Sequence, residues 1–240
     1  YNAMGVELRQ GYGLTETSPV ISVNRENCNN PVTVGQPIPG LQIRLGDIEE
    51  LQVKGPTVMK GYWKRPDATA EVFTEDGWFK TGDQADLSDA GRIRIKGRIK
   101  EIIVTSTGEK IPPTDMELAI QTDPLFEQVM VVGEARPFIT ALAVVNEAEW
   151  EKFAKEFNVD PTDERMLMRR DIRMAALKRL KKAASRFPQY GIPRNIRLLK
   201  EHWTVDNGCL TVTMKLRRPI IREKLRAEID ELYTVPQNNV

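Results

Sequence analysis

The sequence predicts an α+β fold in two parts: a strand-rich first part, packed as a distorted sheet or barrel, and a second part in which helices and strands alternate. Three observations predict it. Short alternating apolar runs separated by Gly and Pro fill residues 41–96, which is the pattern of half-buried strands. The pieces DGW (76–78) and DAGR (89–92) carry the Asp/Ala-Gly chemistry of tight turns, so neighbouring runs fold back as hairpins. Beyond about Lys100 the runs lengthen and alternate between β-branched and helical spacing, as in a separately packed domain.

Taken in order, LQIRL (41–45), LQVK (51–54) and IRIK (93–96) read as strands of the first part, which has little helix. In IPPTDMELAIQ (111–121), Thr114 stands three residues before Glu117. That spacing predicts a capping box, with Thr114 as N-cap of a short helix. VMVVG (129–133) and ITALAVVN (139–146) read as strands and EAEWEKFAKEF (147–157) as a helix. Ile172, Ala176, Leu180 and Ala184 recur every four residues within 163–187, predicting one amphipathic helix with nine Lys/Arg against three Asp/Glu. Its basic side reads either as a solvated face or as a landing site for a phosphate-bearing ligand or an anionic lipid surface. No internal repeat or low-complexity tract is evident, and PQNNV (236–240) reads as a frayed end.

Composition narrows the function classes. The 240 residues are 40% hydrophobic and 29% charged with a net charge of +1, which fits a globular protein and excludes disordered, collagen-like and strongly nucleic-acid-binding compositions. No nucleic-acid partner is expected. Cys28, Cys209 and the single His202 lack zinc-ligand spacing and the parts of a Ser-His triad, and His202 reads as a packing residue. The cysteines form no disulfide framework, so the expected compartment is reducing and cytoplasmic. No apolar run approaches the ~20 residues of a membrane span, and no signal segment opens the chain. Peripheral membrane contact through the basic helix stays open.

Four clusters carry chemistry-bearing residues. In GYGLTETSP (11–19), Gly13 lets backbone approach a ligand, Tyr12 offers a ring to a base, Thr15 a donor to a phosphate, and Glu16 a hard oxygen for magnesium. GWFKTGD (77–83) ends in Asp83 on a glycine turn, and such an Asp can accept from both hydroxyls of a ribose. GRIKEIIVTSTGEKIPP (97–113) joins Arg98 to a glycine-containing loop, and NGCLTVTMKLRR (207–218) sets Lys215 among threonines. Each cluster alone is better explained as a turn or a solvated surface.

Their order and spacing together resemble the C-terminal part of the acyl-adenylate-forming (AMP-binding) superfamily, and NGCLTVTMKLRRPII (207–221) is most similar to its long-chain fatty acid CoA ligase branch. The resemblance covers residues 9–233. It implies that residues 1–98 are the β-rich end of a large adenylation domain and that residues 99–240 are a small mobile α+β lid. The family's TSGTTGxPKG phosphate loop occurs nowhere in the sequence, so the chain resembles a C-terminal fragment, inactive by itself. The implied substrates are ATP, a fatty acid and CoA, with Mg2+ as cofactor.

The resemblance also implies residue roles. Tyr12 and Gly13 would pack on the adenine side, Thr15 would contact the α-phosphate, and Glu16 would bind the metal. Asp83 and Arg98 would hold the ribose. Lys215 would be the lysine of the adenylation step, Lys100 the pivot of the lid, and Ser106, Thr107, Gly108 and Glu109 the loop lining the CoA side. That loop commonly reads Ser-Gly-Gly-Glu, and Thr107 departs from it. The alternatives are a non-catalytic nucleotide- or CoA-binding module and an acyl-AMP ligase that serves a carrier-protein thiol.

Overall fold

The computed structural model describes residues 4–234, so the reading of PQNNV lies outside the described residues. The chain divides between Glu101 and Ile102 into two compact units.

The first unit is built from antiparallel strands. β1 (Gly11–Gly13), β2 (Val20–Val23) and β3 (Gln36–Pro37) form one small sheet. β4 (Gln42–Leu45), β5 (Glu50–Lys54), β6 (Phe79–Asp89) and β7 (Arg92–Arg98) form a second, in that order. The sheets curl together because Val34 donates its N–H to the Ile93 carbonyl at 2.8 Å and Ile93 donates to Gly35 at 2.9 Å. Ile21, Leu51, Val53, Ala85 and Ile93 fill the space between them. The expected strands coincide with β4, β5 and β7 to within a residue or lie inside them, and α1 (Pro66–Val72) is the one α-helix among the described residues of this unit.

Burial alternates along β6 up to Ala85, as a period-two strand with one buried face requires. This corrects one sequence reading: Asp83 lies inside an eleven-residue strand. Gly82 at φ 72° and register shifts on either side of this stretch account for the glycine. A bulge re-aims a side chain without ending the strand.

The second unit is a layered sheet. After β8 (Ile103–Val104), β9 (Lys110–Ile111) and α2 (Pro113–Ile120) come β10 (Phe126–Val132), β11 (Thr140–Val145), α3 (Glu147–Glu156), α4 (Arg170–Ala183) and β12 (Asn195–Leu199). α5 (Arg218–Lys224) and α6 (Arg226–Thr234) follow. β10 pairs antiparallel and β12 parallel with the central β11. Both faces are covered. Val129, Val131, Ala141 and Ala143 pack with residues of α2, α3 and α4, whereas Met130, Val132, Leu142 and Val144 pack with Trp203, Leu210 and residues of α5 and α6. A strand sends successive side chains to opposite faces, so all six residues of β11 are buried.

The helix expected over 163–187 is split. Glu164–Met168 forms a 3-10 turn and α4 begins at Arg170, with Arg169 extended at ψ 133° between them. Ile172, Ala176, Leu180 and Ala184 are all fully buried, as their spacing predicts. The capping box is overturned. α2 starts at Pro113 with Pro112 as its N-cap and no side-chain cap bond, because proline suits the first helical turn, where its missing N–H costs nothing. Glu117 is 5% exposed and is engaged elsewhere.

Candidate active site

In the first unit, Thr17 builds the loop that displays Thr15 and Glu16. It is fully buried. Its hydroxyl accepts the Leu14 N–H at 3.1 Å and lies 2.9 Å from the carbonyls of Leu14 and Pro19, closing the 3-10 turn Thr15–Thr17. Thr15 is exposed on that turn. The Glu16 carbonyl accepts the Met59 N–H at 2.8 Å, and Oε1 of Glu16 accepts the Tyr62 hydroxyl at 2.9 Å. The GYW stretch at 61–63 thus braces the carboxylate. A Cβ on Gly13 would stand 1.7 Å from the Pro19 carbonyl oxygen, so the close approach here is of the Pro19–Val20 backbone at the start of β2. Gly13→Ala is expected to destabilise this unit by about 1–3 kcal/mol, read as a lower denaturant midpoint. An unchanged midpoint would show that the strand relaxes freely.

Asp83, Arg98 and Tyr12 come together across three strands. Asp83 and Arg98 are directly opposite in the β6–β7 register, with Arg98 Nε 3.2 Å from Asp83 Oδ1. The Tyr12 hydroxyl donates to Oδ2, and the Asp83 N–H donates to Thr81 Oγ1 at 3.1 Å. The Asp83 side chain is 5% exposed while Arg98 is half-exposed. Burial and the adjoining Asp83 carboxylate push the Tyr12 phenol far above its ordinary value, so it stays protonated and remains a donor. A carboxylate has about four lone-pair sites on its two oxygens. One protein partner on each oxygen leaves room for two further hydroxyl donors.

The donor set around Glu16 suits a metal that arrives with its substrate. Among the described residues no three His, Cys, Asp or Glu side chains cluster as a resident metal site. One carboxylate with one oxygen already bonded to Tyr62 fits magnesium, which commonly takes one or two carboxylates and completes its shell with water and substrate phosphates.

The second unit presents two hairpin tips of the same design. In residues 105–109, Thr105 donates its N–H to the Glu109 carbonyl at 3.0 Å and its Oγ1 accepts the Glu109 N–H at 3.1 Å. Gly108 donates to the Thr105 carbonyl at 3.0 Å, and the Thr105 and Thr107 hydroxyls are 2.8 Å apart. Residues 211–215 repeat every one of these bonds. Thr211 N–H meets the Lys215 carbonyl at 2.9 Å, Thr211 Oγ1 accepts the Lys215 N–H at 3.1 Å, Met214 donates to Thr211 at 2.8 Å, and the hydroxyls of Thr211 and Thr213 are 3.0 Å apart. The shared design is Thr-x-Thr followed by a left-handed residue.

That residue is Gly108 at φ 84° in one tip and Met214 at φ 60° in the other. Methionine in this region costs about 1–2 kcal/mol, which glycine avoids at a smaller entropic cost. Met214→Gly is therefore expected to stabilise the unit by about 0.5 kcal/mol. A loss of stability in urea would mean that the exposed Met214 side chain holds the tip.

Lys215 is exposed on its tip beside exposed Val212 and Met214, and it makes no ion pair among the described residues. Ser106, Thr107 and Gly108 are exposed on theirs, with Glu109 half-buried. Lys100 lies in the 3-10 turn Ile99–Glu101, next to the division between the units. His202 is not a packing residue. It is 42% exposed with Nε2 3.2 Å from Glu127 Oε1.

Sequence reasoning missed Thr17, Glu117 and Arg218, and it quoted Tyr62 without giving it a role. Thr17 could have been found, since a second threonine two residues after Thr15 in a glycine-bounded loop is an ST-turn signal. Glu117 and Arg218 are 101 residues apart, and no local pattern links them.

Comparison with known proteins identifies a family. Residues 1–63 match "AMP-binding enzyme" and residues 100–236 match "AMP-binding enzyme C-terminal domain". The long-chain-fatty-acid–CoA ligase FadD15 of Mycobacterium bovis is 37% identical over 97% of this chain, which spans 39% of that protein. A long-chain-fatty-acid–[acyl-carrier-protein] ligase of Arabidopsis thaliana is 33% identical over 98% of the chain, which spans 33% of its length. Among solved structures, the A domain of the carboxylic acid reductase of Segniliparus rugosus, in complex with AMP and a co-purified carboxylic acid, superposes with a TM-score of 0.73 at 27% identity. The match covers 96% of this chain and 36% of that one. The chain belongs to the family of AMP-binding enzymes.

Proposed function

We propose that the protein carrying this chain is an ATP- and magnesium-dependent acid:CoA ligase for long-chain fatty acids. The observation that carries the reading is the Asp83 site: a buried strand carboxylate, oriented by Arg98 and the Tyr12 hydroxyl, with capacity for two more hydroxyl donors. That is what a ribose diol needs. The fatty acid and CoA rest on the FadD15 relative.

In the first step a fatty carboxylate oxygen bonds to the α-phosphorus of ATP while the bond to the pyrophosphate oxygen breaks, leaving an acyl-adenylate. Tyr12 and Gly13 border the adenine, Asp83 and Arg98 hold the ribose, and Thr15 donates to the α-phosphate. Glu16 would hold magnesium, which when bound would neutralise phosphate charge. Lys215 stabilises the negative charge that builds on the transferring group, and such a contact accelerates the step only because it is stronger in the transition state. In the second step a CoA thiolate bonds to the acyl carbon and AMP leaves. The lid turns about Lys100, withdrawing Lys215 and bringing Ser106, Thr107, Gly108 and Glu109 to the thiol path.

The test is fatty-acid-dependent exchange of labelled pyrophosphate into ATP by the full-length protein. Exchange with long-chain acids supports the reading, and no exchange with any carboxylic acid sinks it. This chain alone, lacking a triphosphate loop, is expected to show none. A carrier-protein thiol as acceptor is the second reading, supported by the Arabidopsis relative. Faster acyl transfer to a phosphopantetheinylated carrier than to CoA would favour it. Retention of Lys215, Glu16 and Asp83 weighs against a non-catalytic module.

A further inference from the structure

The two hairpin tips are rooted on opposite faces of one sheet. Ile103 and Ile111, at the base of the 105–109 tip, pack on the α2–α4 side, and Leu210 and Leu216, at the base of the Lys215 tip, pack on the α5–α6 side. Two thin hairpins on opposite faces share no backbone hydrogen bond through the sheet. Something has to keep one in register with the other.

The pair Glu117 and Arg218 crosses from layer to layer. Glu117 belongs to α2, whose first residue follows β9 by two. Arg218 opens α5, three residues after Lys215. Arg218 Nη1 and Nη2 donate to Glu117 Oε1 and Oε2, both at 2.6 Å. Glu117 Oε1 also accepts the N–H of Val131 on the edge strand β10 at 2.7 Å. The side chains are 15% and 6% exposed. A planar fork on a carboxylate fixes direction as well as distance, which a lysine cannot do.

We infer that Glu117 and Arg218 are positioning residues, an ion pair stapled across the edge of the sheet that holds the Lys215 hairpin in register with the 105–109 hairpin on the other face. Neither touches substrate. The pair acts through Lys215, locking the base of its tip together with the bridge between Leu210 and Leu216 and the Arg217 N–H on the Cys209 carbonyl at 2.8 Å. Its meaning for catalysis rests on the ligase reading. Under that reading each tip serves one half-reaction, and a lid that turns as one body needs both tips fixed to the same frame.

The experiment is amide hydrogen exchange on this chain, comparing wild type, Arg218→Lys and the double substitution Glu117→Gln/Arg218→Met. The double variant removes both charges of the pair together, a change far milder than leaving one of them buried alone. Residues 209–217 are expected to exchange at least about tenfold faster in it, while β10 and β11 keep wild-type protection. Arg218→Lys is expected to fall between. Wild-type protection of 209–217 in the double variant overturns the inference, as does an equal loss across β10 and β11, which would make the pair general scaffolding.

A second readout comes from the full-length protein. The double variant should lose at least about tenfold in kcat for adenylate formation, with KM for ATP and thiol transfer from preformed acyl-adenylate within about threefold. An equal fall in both half-reactions also overturns it. If wild-type protein forms no adenylate, the ligase reading fails, and the exchange result still decides the positioning role.

Discussion

Lys215→Ala in the full-length protein is expected to lower acyl-adenylate formation by about 10²–10³-fold, the usual loss when one preorganised electrostatic contact to a developing charge is removed. The tip itself should survive. Its bonds run through the Thr211 and Lys215 backbones and the threonine hydroxyls, none of which the substitution touches. Lys215 is exposed and unpaired among the described residues, so its loss strands no partner and stability should hold within about 0.5 kcal/mol. Transfer of the acyl group from synthetic acyl-adenylate to the thiol should stay within about threefold of wild type, since that step belongs to the other tip. Parallel single-turnover assays of the two steps decide the matter. An equal loss in both would end the assignment of one tip to each step.

Glu117→Ala carries the largest expected effect on stability. It removes one partner of a buried pair, and breaking such a pair from one side typically costs about 3–5 kcal/mol. The Arg218 guanidinium would lose both bonds of its fork and the Val131 N–H its acceptor. In a unit of this size the unfolding midpoint should drop by roughly 10 °C. Glu117→Gln should cost less, because an amide oxygen can still accept from Val131. Thermal unfolding followed by circular dichroism measures both. A drop of under about 2 °C for Glu117→Ala would show that water replaces the carboxylate without penalty.

What the sequence made legible follows from how far each signal reaches. The α4 stripe at Ile172, Ala176 and Leu180 was readable because a helix writes its buried face every few residues. The strands β4, β5 and β7 were readable at period two, and β10 and β11 as unbroken apolar, β-branched runs, since both of their faces are covered. Asp83 was found but misplaced: Gly82 looks like a turn residue, and only pairing with β5 and β7 shows that the strand continues through it. Thr114 and Glu117 had capping-box spacing, yet Pro112 and Pro113 moved the helix start, and tertiary packing claimed the glutamate. Arg218 stood in a quoted motif without a role, because its partner lies a hundred residues away in sequence.

The acceptor that Glu117 offers to Val131 also bears on self-association. β10 lies at the rim of its sheet, and an unpaired N–H on such a rim is a template for a strand from another molecule. The buried carboxylate occupies that donor, and the Arg218 fork holds the carboxylate there. A unit that loses this cover presents adhesive backbone as well as a weakened fold, so its characteristic failure in concentrated solution is strand-to-strand aggregation.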